Sequence, residues 1–334
     1  SNARPAYWLA KFSCDGLRSR RSYLQKAFRL RMVLWALGAL VLMAVFAGIA
    51  LQIAIARNGP AVLSAIDRVT GGSRDAKRLA LVSTGNHPAQ KLVVWGPSNG
   101  TNNNAQRPVL LFSHGGSWRS GDPECYDFVG RAFVPEGFVV VLSGYRLVKE
   151  GAPDGVYPAM LKDTAAAIAW TQANITNYGG DPSRIVVMGH SAGAYNVMMI
   201  SQERQWLAES GVAANALRGV IGLSGPYDFY PFDSDSTIAA FGPASDPEAT
   251  QVFNHVRADA PPTLLMHGAK DTLVRPRNSR ELAQLIETTG GSVSLKLYNE
   301  MEHNDPLISL AAPWRSRRDV AQTVVRFARQ VTAQ

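Results

Sequence analysis

Short apolar runs recur along this chain and alternate with amphipathic segments, and this alternation constrains the fold more than any other feature. The apolar residues in each run are continuous, which is typical of strands buried on both faces of a sheet. Strands separated by helices predict a mostly parallel sheet of about eight strands with helices on both faces. The runs are residues 91–97, 108–115, 137–145, 184–190, 218–225, 262–268 and 292–299.

Three segments between or after these runs have the spacing and the end signals of helices. The first begins at Pro158, and the second begins at Ser279 and ends on paired glycines. Ligands of such sheets bind beyond the carboxyl ends of the strands. Chemistry is therefore expected just after the predicted strands. The predicted helices are residues 158–175, 279–291 and 318–331.

An apolar run without a charged residue, residues 32–56, precedes all of these elements. At about 1.5 Å per residue, a helix of this length exceeds a hydrocarbon core of about 30 Å. We therefore predict a single transmembrane helix that serves as an anchor. A cleavable signal peptide is the alternative, because Ala54-Ile55-Ala56 has the form of a cleavage site. However, the apolar region of a signal peptide is only about 7–15 residues long.

Most of the net charge of +8 belongs to the segment before this run, which carries +7. Residues 1–31 carry eight Lys or Arg and one acid, so the remainder carries only +1. This distribution argues against a nucleic-acid partner. Basic residues before a span are retained in the cytoplasm, so residues 57–334 are predicted on the extracytoplasmic side, which is the periplasm in a bacterium. Secretion after signal cleavage is the alternative.

These features divide the chain into four parts. Residues 1–31 form a basic tail whose first three residues, Ser1-Asn2-Ala3, have the sequence of an expression-tag remnant. Residues 32–56 form the predicted anchor, and residues 57–80 a juxtamembrane linker. Residues 81–334 form the predicted α/β domain, with a short cap.

Ser191 lies in a Gly-x-Ser-x-Gly pentapeptide between the predicted strand 184–190 and a helix-like segment. A serine in such a tight turn needs small neighbours, and Gly189, Ala192 and Gly193 are all small. The turn exposes the hydroxyl at a helix N-terminus, where a developing negative charge is stabilised. Ser191 is therefore the candidate nucleophile. The alternative is a small residue with a purely structural role in the turn.

A serine nucleophile needs a base, and the base needs an orienting acid. In a sheet of this order the acid and then the histidine follow the serine. Asp271 comes three residues after the strand that ends at Gly268, and His303 comes four residues after Asn299. These two residues are the candidate acid and base. His267 lies inside its predicted strand and is expected to be a buried, hydrogen-bonded core residue.

The loop "FSHGGSWRSGD", residues 112–122, is expected to supply donors for an oxyanion. Its small residues allow backbone N–H groups to approach a substrate, so the expected donors are the N–H of Gly116 or Ser117 together with that of Ala192. The expected substrate-binding residues are Trp118 of this loop, His190 beside the serine, and Tyr227 of the aromatic segment "YDFYPF". The alternative for Trp118 is a hydrophobic lid over the sheet edge, and the alternative for the rings of "YDFYPF" is that they only pack the cap onto the domain.

The segments "HGGSW", "GHSAG", "HGAKDTLV" and "EMEHND" occur in the order and spacing of the α/β-hydrolase superfamily. Over residues 80–334 the chain resembles its carboxylesterase and kynurenine-formamidase-like branch, which carries His-Gly-Gly-x-Trp. The resemblance implies that Ser191, Asp271 and His303 form a triad and that the loop at Gly116-Ser117 forms the oxyanion hole. The chain differs from many related lipases in having Ser117 in place of a third glycine.

The sequence therefore predicts a serine hydrolase that cleaves small carboxylic esters through an acyl-enzyme, without a metal or an organic cofactor. A cap of about 35 residues favours short, acetyl-like acyl groups over long lipid chains. An arylformamidase or amidase is the alternative, because the same triad cleaves both bonds. A non-catalytic binding protein on this fold would be expected to lack a triad member, and all three are present.

Overall fold

The computed structural model describes residues 7–100, 106–149, 153–213 and 215–333, so the predicted tag remnant lies outside the described residues. The chain divides into two compact units, Ser1–Gly59 and Pro60–Gln334. Helix α1 (Tyr7–Val69) begins in the first unit and ends in the second. Its backbone leaves the helical region at Asn58, where φ is −157° and ψ is 75°, and Pro60 follows two residues later. A proline removes a helical hydrogen bond, which accounts for the irregularity.

The segment Phe28–Val69 of α1 is long and apolar enough to cross a membrane. The predicted span, residues 32–56, falls within it. A membrane anchor and a signal sequence share this length and composition.

The second unit contains a sheet of eight strands in the order β1-β2-β4-β3-β5-β6-β7-β8. β2 pairs antiparallel with both β1 and β4, and every other pair is parallel. This is the mostly parallel sheet that the sequence predicts and that the resemblance to α/β-hydrolases implies. The strands are β1 (Ala76–Ser83), β2 (Lys91–Pro97), β3 (Arg107–Ser113), β4 (Val139–Ser143), β5 (Gly180–His190), β6 (Leu217–Leu223), β7 (Thr263–Gly268) and β8 (Val293–Tyr298).

Helices cover both faces of the sheet. The three helices predicted from sequence correspond to α3, α7 and α10, and the helix after Ser191 is α4. After α1, the helices are α2 (Asp127–Phe133), α3 (Ala159–Asn174), α4 (Ala192–Gln202), α5 (Gln205–Glu209), α6 (Asp235–Phe241), α7 (Arg277–Thr288), α8 (Asp305–Ile308), α9 (Ala312–Arg315) and α10 (Val320–Thr332).

The core is divided by the sheet into two clusters. Successive side chains of a strand point to opposite faces, so Val109 and Leu111 of β3 join one cluster, and Leu110 and Phe112 join the other. Helices α3, α4 and α7 contribute to the first cluster, and α2 and α10 to the second. Burial on both faces explains why these strands have continuous apolar runs.

The prediction that residues 57–80 form a linker is wrong. Residues 60–69 are helical and belong to the second unit, and residues 76–83 form β1. β1 has a half-exposed side-chain pattern at the antiparallel edge of the sheet, so it lacks the continuous apolar run of a central strand.

The end of α1 packs into the second unit through a buried ion pair. The Arg131 Nε donates to Asp67 Oδ2 at 2.5 Å, and both side chains are almost fully buried. Asp67 Oδ1 accepts the backbone N–H of Ala312 at 2.7 Å, and the Arg131 guanidinium lies 5.6 Å from the centroid of the Trp95 ring. One carboxylate therefore connects α1, α2 and α9.

Replacing Asp67 with alanine is expected to destabilise the protein strongly, because it leaves the buried Arg131 charge with only a long, 3.9 Å contact to the Asp127 carboxylate. Breaking a buried pair in this way costs about 3–5 kcal/mol. Glu300→Ala is the matched control, because it breaks the exposed ion pair with Lys270. It should lower the free energy of unfolding by at most about 1 kcal/mol. Denaturant unfolding followed by tryptophan fluorescence measures both, and equal losses would contradict the structural role of Asp67.

Candidate active site

Ser191 occupies the tight turn between β5 and α4. Its φ of 52° and ψ of −120° place a non-glycine residue in a strained backbone conformation. The strain is accommodated because α4 begins unusually close to β3. A side chain on Gly193 would overlap the carbonyl oxygens of Ser113 and His114, so only glycine fits there. The turn therefore presents the Ser191 hydroxyl beyond the carboxyl ends of the strands.

Ser191, His303 and Asp271 are hydrogen-bonded in series. The distance from Ser191 Oγ to His303 Nε2 is 2.9 Å, and His303 Nδ1 lies 2.8 Å from Asp271 Oδ2. Asp271 follows β7, and His303 follows β8, so three strands that end at the same edge bring these residues together. The structure thus assembles the three residues that the sequence predicts as nucleophile, base and acid.

The Asp271 carboxylate receives four hydrogen bonds. Oδ1 accepts the backbone N–H groups of Leu273 and Val274, each at 2.9 Å, and Oδ2 accepts from His303 Nδ1 and from His267 Nε2. Burial opposes its ionisation, but the bonds from His267, His303 and Val274 outweigh burial and hold the pKa of the carboxyl well below its usual range. Asp271 is therefore a fixed, ionised acceptor for His303.

The loop after β3 turns sharply beside Ser191. The carbonyl of Gly116 accepts the N–H groups of Arg119 and Ser120, each at 3.0 Å. Gly116 has a φ of 123°, and a side chain there would overlap the Ser120 carbonyl. Ser117 and Ala192 line the cavity next to Ser191, whereas Gly116 does not. Of the two loop donors left open by the sequence, the geometry favours Ser117.

Two aromatic contacts brace this loop. The His114 ring is stacked on Tyr145 with centroids 4.5 Å apart, and the Tyr145 hydroxyl donates to the His114 carbonyl at 2.9 Å. Trp118 Nε1 donates to Asn196 Oδ1 at 3.1 Å, and the Trp118 ring packs edge-on against Phe241 with centroids 4.7 Å apart. The loop is thereby attached to the segment after β4, to α4 and to α6.

A cavity of about 530 Å³ opens over Ser191. Trp118, Phe229 and Tyr230 form part of its wall, and the loop after Asp271 contributes Leu273 and Arg275. The aromatic segment of the cap therefore both lines the site and packs the cap onto the domain, the two alternatives that the sequence left open. Phe229 lines the cavity and also packs on Trp118 and Tyr195.

Two of the three expected substrate-binding residues do not line this cavity. Tyr227 is fully buried, and its ring packs against Gly222 and Gly225 below the cap. His190 is also buried, and its Nε2 donates to the carbonyl of His303 at 3.2 Å. Desolvation lowers the pKa of His190 to about 3, so the ring is neutral. His190 is the last residue of the buried strand β5, and its side chain turns into the protein, where it supports the His303 loop.

Asn278 and Gln251 hold the cap, and the sequence did not identify either residue. Asn278 Oδ1 accepts the backbone N–H groups of Tyr227 and Asp228, and Gln251 Oε1 accepts that of Phe229. Asn278 also lines the cavity. These amides satisfy backbone donors in a segment without regular structure, and no local sequence pattern predicts such contacts.

The sequence model of the BD-FAE family matches residues 95–286, which is more than half of the chain. The chain belongs to the BD-FAE family. The matched region contains Ser191 and Asp271 but ends before His303, which the fold brings to the same site.

Curated relatives of this BD-FAE chain include two esterases. Isoprenylcysteine alpha-carbonyl methylesterase ICME of Arabidopsis thaliana is 26% identical over 260 residues, which cover 70% of this chain and 58% of that protein. Esterase LipQ of Mycobacterium tuberculosis is 29% identical over 238 residues, which cover 66% of this chain and 54% of that protein. The chain thus spans little more than half the length of these relatives.

Solved structures of esterases share the fold. Esterase B from Lactobacillus Rhamnosis (HN001) superposes with a TM-score of 0.68 at 18% identity, over 86% of this chain and 95% of that chain. Thermogutta terrifontis esterase 2 superposes with a TM-score of 0.62 at 18% identity, over 77% of this chain and 95% of that chain. At this identity the likeness establishes the α/β-hydrolase fold.

The buried imidazole of His114 is expected to make the protein sensitive to acid. Desolvation lowers its pKa from 6.5 to about 4, so the unfolded chain binds a proton that the folded chain does not. Stability should therefore be lost as the pH falls from 6.5 towards 4, by about 1 kcal/mol per pH unit. His114→Gln should reduce this dependence of the free energy of unfolding on pH, even if the substitution itself lowers the stability at pH 7.5. Denaturant unfolding at several pH values measures it, and an unchanged slope would contradict the assignment.

Proposed function

We propose that this BD-FAE chain is a serine hydrolase that cleaves carboxylic esters. The observation that carries the proposal is the hydrogen-bonded series Ser191–His303–Asp271, whose first residue lines a cavity. The curated relatives named above are esterases, which supports the same reaction class. In this proposal Ser191 is the nucleophile, His303 the general base, and Asp271 the acid that orients it.

The reaction proceeds in two acyl-transfer steps. His303 Nε2 takes the proton of the Ser191 hydroxyl while the oxygen attacks the ester carbonyl. Asp271 stabilises the imidazolium that forms. His303 then returns the proton to the leaving alcohol, which leaves an acyl group on Ser191. A water molecule, deprotonated by His303, attacks this acyl group, and the acid departs as Ser191 regains its proton.

The tetrahedral oxyanion would be held by the backbone N–H groups of Ser117 and Ala192. The Ala192 N–H lies in the first turn of α4 and has no carbonyl one turn back to which it can donate. The Ser117 N–H belongs to the loop that is braced through His114 and Trp118. Because such donors are fixed before the reaction, each contributes roughly 3 kcal/mol to transition-state stabilisation.

We further propose that short acyl groups are preferred. Trp118 is almost fully buried, and its bond to Asn196 and its packing on Phe241 hold the ring in the wall beside Ser191. A fixed ring limits the space there and favours acetyl-like groups. The Thermogutta terrifontis esterase 2 structure has butyrate bound, which is a short carboxylate.

Ser191→Ala is expected to lower kcat for p-nitrophenyl acetate by at least about four orders of magnitude, because no other group can form the acyl-enzyme. Ser201→Ala is the matched control, since this serine lies on the same helix and donates only to the Val197 carbonyl. Unchanged hydrolysis by Ser191→Ala would contradict the proposal.

The same assay distinguishes the class of bond that is cleaved. A panel of acyl esters of graded chain length, compared with N-formyl aromatic amides, should give the highest kcat/KM for the acetyl and propionyl esters. Faster turnover of the formamides would instead indicate an arylformamidase. Rising kcat/KM with chain length beyond about six carbons would contradict the preference for short acyl groups.

We also propose that residues 32–56 anchor the chain in a membrane, with the catalytic unit on the extracytoplasmic side. Expressed in a bacterium, the protein should remain in membranes after alkaline carbonate extraction. Protease added to spheroplasts should digest the catalytic unit. A mature N-terminus near Arg57 would contradict the anchor and support secretion. If the catalytic unit resists the protease until the cells are lysed, the predicted sidedness is contradicted.

A further inference from the structure

Two imidazoles share one oxygen of Asp271. His303 Nδ1 lies 2.8 Å from Oδ2, and His267 Nε2 lies 3.0 Å from the same atom. His267 is the last residue but one of β7, four positions before Asp271, and it is fully buried. It does not line the cavity over Ser191. Any influence on the reaction must therefore pass through the groups that His267 contacts, which are Asp271, Val274 and Ser279.

The surroundings of His267 determine how the ring is oriented. Its Nε2 faces two acceptors, Asp271 Oδ2 and the Val274 carbonyl at 2.8 Å, so this nitrogen carries a hydrogen. Its Nδ1 lies 2.7 Å from the Ser279 Oγ, and the serine hydroxyl donates to it in the neutral ring. Contacts on both sides leave the ring no freedom to turn.

These bonds also fix the loop that carries the acid. The Val274 carbonyl binds His267, while the Val274 N–H binds Asp271 Oδ1. His267 thus joins the strand, the carboxylate and the loop after it in one closed set of hydrogen bonds. Without it, Oδ2 would keep only the bond from His303, and the carboxylate would otherwise be held only through Oδ1 by the N–H groups of Leu273 and Val274.

We propose that His267 is a positioning residue, which holds Asp271 Oδ2 against His303 Nδ1 in the reactive orientation. The inference rests on the proposed function of Ser191, Asp271 and His303. In each acyl-transfer step His303 becomes an imidazolium, and its stabilisation depends on the alignment of Oδ2. A small misalignment of a catalytic group can lower a rate by about a hundredfold.

Two amide substitutions distinguish the contact at Nε2 of the ring from the contact at Nδ1. His267→Gln can place an amide N–H near the position of Nε2, so it can still donate to Asp271. His267→Asn is shorter and reaches only the position of Nδ1, so it keeps a contact with Ser279 and loses the bond to Asp271. The two variants are similar in polarity and burial, which makes each a control for the other.

Two readouts test the proposal: kcat and KM for p-nitrophenyl acetate, and the rate at which a fluorophosphonate probe labels Ser191. In labelling, the Ser191 oxygen bonds to phosphorus, fluoride leaves, and His303 takes the proton. The full chain is used, and thermal unfolding is measured for every variant. His267→Asn should lower kcat and the labelling rate by about tenfold to a hundredfold, with KM within about twofold of wild type. His267→Gln should recover most of both rates.

If the wild-type protein is active, either of two results would overturn the positioning role. The first is an equal loss of rate in the two variants, and the second is a wild-type rate in His267→Asn. Labelling of the wild type without ester hydrolysis would overturn the proposed ester substrate alone, and the labelling rates would still test His267. A wild-type protein that is neither labelled nor active would overturn both.

If His267→Asn does not fold, Ser279→Ala tests the same link. It removes only the hydroxyl that holds the Nδ1 side and leaves the imidazole in place. The labelling rate should then fall by about threefold, in line with the loss of one hydrogen bond, and KM should stay the same. An unchanged labelling rate in this variant would overturn the proposal.

Discussion

The close approach of α4 to β3 is the constraint on which the site depends. Only because residue 193 has no side chain can the helix start against the carbonyl oxygens of Ser113 and His114. That approach accommodates the strained backbone at Ser191, and Ala192 lines the cavity together with Ser117 of the loop after β3. A wider turn would separate the hydroxyl from the amide groups beside it, so packing at one glycine determines the geometry of the whole site.

Buried hydrogen bonds then fix the partners of Ser191. Asp271 accepts four bonds, His190 supports the backbone of His303, and Asn278 holds the cap segment. Each of these side chains is buried, so an unmade bond would be costly. The network therefore stabilises one arrangement of loops that have little regular structure of their own. These hydrogen bonds fix the positions of the loops, as regular strand pairing fixes the sheet below them.

The sequence predicted the central strands and the main helices because their patterns are local. Ser191, Asp271 and His303 were identifiable for the same reason, since each follows a strand and the order of strands limits which residues can meet. The prediction failed where the signal depends on distant contacts. β1 is an edge strand with a half-exposed pattern, and residues 60–69 are held by Asp67 through partners more than 60 residues away.

The sequence by itself thus indicated the class of fold, the apolar helix and the three residues Ser191, Asp271 and His303. These features could be predicted because they depend on periodicity, composition and spacing along the chain. Only the tertiary structure decided that Ser117 lines the cavity, that Tyr227 and His190 do not, and that His267 shares the oxygen of Asp271. These outcomes depend on strand register and on which face of a turn is buried. Neither is fixed until the strands and the helices pack together.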